Sequence, residues 1–234
     1  MERTGGGRLN CDCQKRTGHS CIGIVPIFSD LTPEEMDEIA AITSEKSYGK
    51  GETIYFAGKE GKKLLVIHAG HVKISRLSPS GKSQVLRVLG PGEFMGELTL
   101  FSDAPLSDYA EAVEPCTMCM IEGLKLKTLM GKYPSIALKV MQVLSSRLQK
   151  AETLIEDINL HPAERRLAHA LLELSAGRRE LELALTKGDF ASQLGMTQET
   201  LSRKLSSLQE RGCIELRGQR SIVILDRDAL AGME

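Results

Sequence analysis

The sequence has almost no net charge and no long apolar run. Its 30 lysines and arginines against 31 aspartates and glutamates leave a formal charge of −1. That balance neither demands nor excludes a nucleic-acid partner. No uninterrupted apolar stretch approaches the roughly 20 residues that a membrane-spanning helix needs, so no membrane partner is expected. The opening MERTGGGRLN lacks the apolar core of a secretory signal, which makes a cytoplasmic location, where thiols stay reduced, the expectation. No catalytic triad or paired-carboxylate cleft can be picked out, so an enzyme is not expected. With 234 residues, 41% of them hydrophobic, the chain can still build more than one core.

Cysteine is present, and its placement is uneven. Six cysteines in a reducing compartment point to metal binding or redox switching before a disulfide framework. Cys11, Cys13 and Cys21 fall together in CDCQKRTGHSC, with His19 beside them, in a tail too polar to bury thiols. Cys116 and Cys119 form a second group, and Cys213 reads as a packing residue of a C-terminal core.

After the tail, SDLTPEEMDEIAAI predicts a helix: Thr32 caps it, Pro33 suits its first position, and Glu35 completes a capping box. From Tyr48 to about Met120, glycines punctuate short runs such as TIYFAG, LLVIHAG, HVKISRL and SQVLRVLG, the pattern of an antiparallel roll or barrel. SPSGKS reads as a hairpin turn. His68 and His71 flank Gly70 and read as turn residues, with no haem expected.

Beyond Pro134 the period becomes helical. Ala137, Met141, Leu144, Leu148, Ala151, Ile155 and Ile158 alternate spacings of four and three, an a/d seam. Ile136, Val140 and Val143 form a second stripe that suits the roll. A seam on a helix whose other face is already used implies a partner helix, most simply from a second copy.

Asn159, His161 and Pro162 interrupt this helix, and PAERRLAHALLELSAG starts another, closed by Gly177. In GDFASQLGMTQETLSRKLSSLQERG, Phe190, Ala191 and Leu194 supply one inner face, and Gly195 permits a tight turn. Thr197 then caps a helix whose inward residues are Leu201, Leu205 and Leu208. Its outward residues Gln198, Glu199, Ser202, Arg203 and Ser206 are donors and acceptors suited to base edges in a major groove. Arg217 and Arg220 on a following hairpin, with Lys187 and Lys204, are candidates for phosphate contacts.

Roll, dimer helix and winged helix-turn-helix, in that order, resemble the catabolite-activator and fumarate–nitrate-reduction regulators, the CRP/FNR family. GEFMGELTLF resembles the family's central roll motif. TKGDFASQLGMTQETLSRKLSSLQERG resembles its DNA-reading element, particularly that of the oxygen-sensing branch. The resemblance implies an α+β chain: a cysteine-rich tail over 1–24, a cyclic-nucleotide-binding-like jelly roll over 25–131, a dimerisation helix over 132–160 and a winged helix-turn-helix over 161–234. It further implies a homodimer that reads a pseudo-palindromic duplex, with Glu199, Ser202 and Arg203 on TTGA-type half-sites one helical turn apart. RNA polymerase is a further expected partner.

The signal has two candidate classes. In the nucleotide-binding branch an Arg-Ser pair follows the GEL motif. Here Gly96, Glu97 and Leu98 are followed at the matching positions by Ser107 and Asp108, so a phosphate would meet a carboxylate, and no cyclic nucleotide is expected. The oxygen-sensing branch instead implies a cluster ligated by Cys11, Cys13, Cys21 and Cys119, with Cys116 as an alternate. An iron–sulfur cluster of [4Fe-4S] type is the group implied. The C-x-C spacing of the tail departs from that branch. Zinc on Cys11, Cys13, His19 and Cys21, another metal, a dithiol switch with Cys116 or Cys119, and an unidentified small effector of the roll therefore stay open. Ala151 stands where the family carries a charge that weakens the metal-free dimer, so a dimer is expected with or without metal.

Overall fold

The computed structural model describes residues 23, 25–79, 81, 83–102 and 104–233. The candidate ligands of the tail, Cys11, Cys13, His19 and Cys21, lie outside the described residues. The chain divides into two compact units, Met1–Ile74 with Val88–Ser145, and Ser75–Arg87 with Ser146–Glu234.

In the first unit a 3₁₀ turn, Pro26–Phe28, leads to helix α1, Pro33–Ile42. Its capping box forms as the sequence predicts: the Thr32 N–H donates to the Glu35 carboxylate at 2.8 Å, and the Glu35 N–H donates to Thr32 Oγ1 at 3.3 Å. Strand β1, Thr43–Tyr48, follows without a loop, so strand pairing begins earlier than the glycine punctuation suggests. The remaining strands of the roll are β2 (Thr53–Tyr55), β3 (Lys63–Ala69), β4 (Val72–Leu77), β5 (Ser83–Leu89), β6 (Phe94–Met95), β7 (Tyr109–Ala112) and β8 (Cys116–Glu122). They make two four-stranded sheets, ordered β1-β8-β3-β6 and β2-β7-β4-β5. The β4–β5 turn closes through the Gly81 N–H on the Ser78 carbonyl at 2.9 Å, with Gly81 at φ +80°, as its turn residues require.

The strand alternation separates two cores. Leu65, Ile67, Ile74, Ala110 and Met118, drawn from both sheets, fill the interior of the roll. Leu64, Val66, Phe94 and Ile121 face the other way and pack with Val25, Ile27, Phe28 and Ile39. Helices α2 (Glu97–Phe101) and α3 (Gly123–Lys132) punctuate the strands.

Helix α4, Pro134–Leu160, has 27 residues and is about 40 Å long at 1.5 Å per residue. Ile136 and Val140 are buried in the core that holds Phe28 and Ile39, which is the role read from the second stripe. Leu144, counted in the outward seam, is partly buried against that same core; its position falls between the two stripes. Met141, Leu148 and Ile155 are 54%, 61% and 62% exposed. Apolar side chains bared on one line of a helix at that level have no covering partner among the described residues.

The second unit holds α5 (Ala163–Ser175), β9 (Glu180–Glu182), α6 (Lys187–Gln193), α7 (Gln198–Glu210), β10 (Ile214–Arg217), β11 (Ser221–Ile224) and α8 (Arg227–Ala231). The three strands form one sheet, β10-β11-β9. Leu167, Leu171, Phe190, Leu201, Leu205, Leu208 and Cys213 are buried within this unit. No helix among the described residues is long and apolar enough to cross a membrane.

Candidate nucleic-acid interface and cysteine site

Helix α7 is built by its own sequence. Thr197 Oγ1 accepts the Thr200 N–H at 3.1 Å and so closes the N-terminus of α7. Ahead of it, Thr186 Oγ1 accepts the Asp189 N–H at 3.1 Å and caps α6. Gly195, between the helices, sits at φ +66°, where a side chain is disfavoured. Leu201, Leu205 and Leu208 are buried, so the helix phase is fixed. That phase leaves Gln198, Glu199, Ser202, Arg203 and Ser206 exposed on one face, with the donor and acceptor types that base edges match. The β10–β11 hairpin follows, turning at Gly218 with φ +68°.

Behind this face, two of the candidate phosphate contacts are already paired with carboxylates. Lys204, a predicted phosphate contact, places its ammonium 2.7 Å from Glu164 Oε2, and Arg211 also pairs with Glu164. Hydrogen bonding from Lys204, then the charges of Lys204 and Arg211, hold the Glu164 carboxyl below the ordinary carboxylate range against its desolvation. Arg217, a second predicted phosphate contact, makes a two-pronged pair with Glu215, both bonds at 3.0 Å. Lys204 is therefore a strut between α5 and α7. The sequence hides this because Glu164 lies 40 residues from Lys204.

In the roll, the two internal cysteines lie on opposite faces of β8. Cys116 belongs to the roll interior with Met118. Its thiol donates to the His71 and Glu114 carbonyls, both at 3.1 Å. Burial, then the Glu114 carboxylate, push the Cys116 thiol above its usual range, so it stays protonated. Beside it, His71 Nδ1 lies 2.5 Å from Glu114 Oε1, a pairing the turn reading of His71 did not include. Cys119 is buried on the other face, in the core that also contains Val25, Ile27 and Phe28. The segment that leaves the cysteine-rich tail thus packs in the same core as Cys119. Among the described residues no three histidine, cysteine or acidic side chains gather as metal ligands. Cys213 is buried in the second unit, as its packing role predicts.

At the GEL motif, Gly96 caps α2 with φ +88°, and Glu97 is 1% exposed. Asp108 is 5% exposed, and Ser107 lies at the surface.

Residues 45–133 match the family described as cyclic nucleotide-binding domain, and residues 165–233 match the Crp-like helix-turn-helix domain. The probable transcriptional regulator flp of Lacticaseibacillus casei is 32% identical, over 90% of this chain and 96% of its own. The fumarate and nitrate reduction regulatory protein of Salmonella typhi is 30% identical, over 99% of this chain and 92% of its own. The solved structure of FixK2 from Bradyrhizobium japonicum superposes with a TM-score of 0.73 at 26% identity, covering 82% of this chain and 98% of that one. A roll of two antiparallel sheets, a long helix with a bare apolar line, and a capped helix-turn-helix meet these similarities over nearly the whole chain: it belongs to the CRP/FNR family of DNA-binding transcription regulators.

Proposed function

We propose that the chain acts as a homodimer on a pseudo-palindromic operator and answers to oxygen or redox state through a cysteine-ligated metal centre. Cys119 is the internal ligand in this reading, with Cys11, Cys13 and Cys21 from the tail. An iron–sulfur cluster is the group proposed, and zinc or another metal is its alternative. The observation that carries the reading is the common core of Cys119 with Val25, Ile27 and Phe28. Cys21 precedes Val25 by four residues, a reach of at most about 14 Å. Cys116 suits the role poorly, since it faces the roll interior and its thiol resists ionisation; the thiolate is the form that binds metal. A cluster, when bound, supplies the reactivity toward oxygen. The chain's own part is to hold thiolates at one point of the first unit and to present α7 to DNA.

On the DNA side, Arg203 is placed to donate to a guanine edge, Glu199 to accept from cytosine, and Gln198 and Ser202 to complete a TTGA-type half-site. The bare line Met141, Leu148, Ala151, Ile155 and Ile158, continued by Leu144, is the proposed dimer seam. Because Ala151 adds no repulsion there, the signal acts on the pose of the reading helices and not on assembly. RNA polymerase is the further partner proposed. A cyclic nucleotide is not proposed as the effector: the buried Asp108 carboxylate stands where a phosphate needs a cation.

The test is purification without air, followed by metal analysis and a visible spectrum. Iron with acid-labile sulfide, and a broad absorption bleached by air, is the expected result. Stoichiometric zinc in a colourless protein selects the alternative metal, and a metal-free protein that still responds to oxidant selects a dithiol switch. A metal-free protein indifferent to oxidant ends the sensing proposal and leaves an effector of the roll.

A further inference from the structure

Arg166, on the first turn and a half of α5, spreads its guanidinium over four backbone carbonyls. Nη1 donates to the His161 carbonyl at 2.9 Å and to the Ile158 carbonyl at 3.4 Å. Nε donates to the Leu194 carbonyl at 3.1 Å, and Nη2 to the Gly195 carbonyl at 3.4 Å. Two of these acceptors belong to the end of the long helix α4 and its exit, and two to the turn between α6 and α7.

The acceptors are groups that lack a helix donor. The Ile158 carbonyl would take the N–H of residue 162 in a continuing helix, but residue 162 is proline and has none. Leu194 and Gly195 stand where the backbone leaves α6 and turns. Packing adds to the polar link: a Cβ placed on Gly195 would come within 2.8 Å of Ile158 Cδ1. The end of the long helix therefore rests directly on the helix-turn-helix turn, and Arg166 bonds both sides of that contact. A lysine keeps the charge there but has one nitrogen and no planar fork.

We propose that Arg166 is a positioning residue for operator recognition: it fixes the turn before the reading helix against the end of the helix that carries the dimer seam. It touches no base in this scheme. Its effect is on the distance and angle between the two reading heads of a dimer, and so on the half-site spacing that the dimer accepts. The inference rests on the dimeric operator reading.

The experiment is selection of binding sites from a random duplex pool, run in parallel with the wild-type protein and Arg166→Lys. The wild type should return an inverted repeat with one dominant spacing. If it returns no repeat, the dimeric reading falls first, and this proposal with it. Given that repeat, Arg166→Lys should return the same half-site over several spacings and bind the wild-type site about tenfold more weakly. An unchanged spacing with unchanged affinity overturns the proposal. So does loss of the half-site sequence itself, which would assign Arg166 to folding of the reading head. Should Arg166→Lys fail a thermal-melt check, Arg166→Gln under the same selection decides by the same outcomes.

Discussion

Lys204, on α7, is held by Glu164 on α5, ammonium to carboxylate at 2.7 Å. Arg211, just past the end of α7, joins the same carboxylate. Glu164 is thus shared by two cations on either side of the C-terminal half of α7. With 21% of its side chain exposed, the Glu164 carboxylate is screened less than an exposed one and desolvated less than a fully buried one.

Glu164→Gln should lower the stability of the second unit by about 1 kcal/mol at neutral pH. Because the folded state depresses this carboxyl, its contribution is present above the unfolded carboxylate range and fades as pH falls through the folded value. Urea denaturation of both proteins from neutral to acid pH should show the two stabilities converging in acid. A gap that stays constant, or widens, would contradict this account.

Arg203→Ala should remove about 1–3 kcal/mol of discrimination at one base position while leaving non-specific DNA binding nearly intact. Its side chain is exposed beside the buried Leu201 and Leu205, so the fold should not suffer. Fluorescence anisotropy on the selected operator and on a scrambled duplex measures both quantities. Equal losses on the two duplexes would make Arg203 a phosphate contact instead.

Leu148→Glu places a charge on the bare line of α4, at a position 61% exposed in the single chain. If that line is a dimer seam, two copies of the charge meet and sedimentation should show monomers at concentrations where the wild type is dimeric. Chelator-treated wild type should remain dimeric, as Ala151 implies. A monomeric chelated protein would mean that the metal centre, and not the seam alone, holds the pair.

The two internal cysteines should separate cleanly. Cys119→Ser and Cys21→Ser should each release the metal from anaerobically purified protein, whereas Cys116→Ser should retain it. Metal retained in Cys119→Ser but lost in Cys116→Ser would put the centre on the roll-interior face and overturn the ligand set.

Much of the architecture is legible in the sequence because it depends on local signals. Thr32, Glu35 and Thr197 announce helix starts, and Gly81 and Gly195 announce turns. The period-four-and-three spacing of α4 separates its buried face from its bare one. What the sequence conceals is mostly long-range. The opposite facing of Cys116 and Cys119 follows only once β8 is known to be one uninterrupted strand, since three residues apart reverses face on a strand but not on a helix. Glu164 and Arg166 carry no local mark at all; on a helix wheel they are ordinary polar residues, and the partners of Glu164 lie 40 and 47 residues away and those of Arg166 across the turn 28 and 29. Short helices such as α2 and α8 escape for another reason, as five residues leave no room for a periodic pattern.

Gly96 adopts a left-handed backbone, and a Cβ there would strike the carbonyl oxygen of Lys63 on the neighbouring strand. Alanine at this joint would collide with main chain, which cannot swing aside as a side chain can. The glycine that opens the GEL signature is thus demanded by carpentry: the corner where β6 gives way to α2 closes only around a bare hydrogen. A chain could exchange one messenger for another, or abandon nucleotides altogether, and still be compelled to keep that glycine.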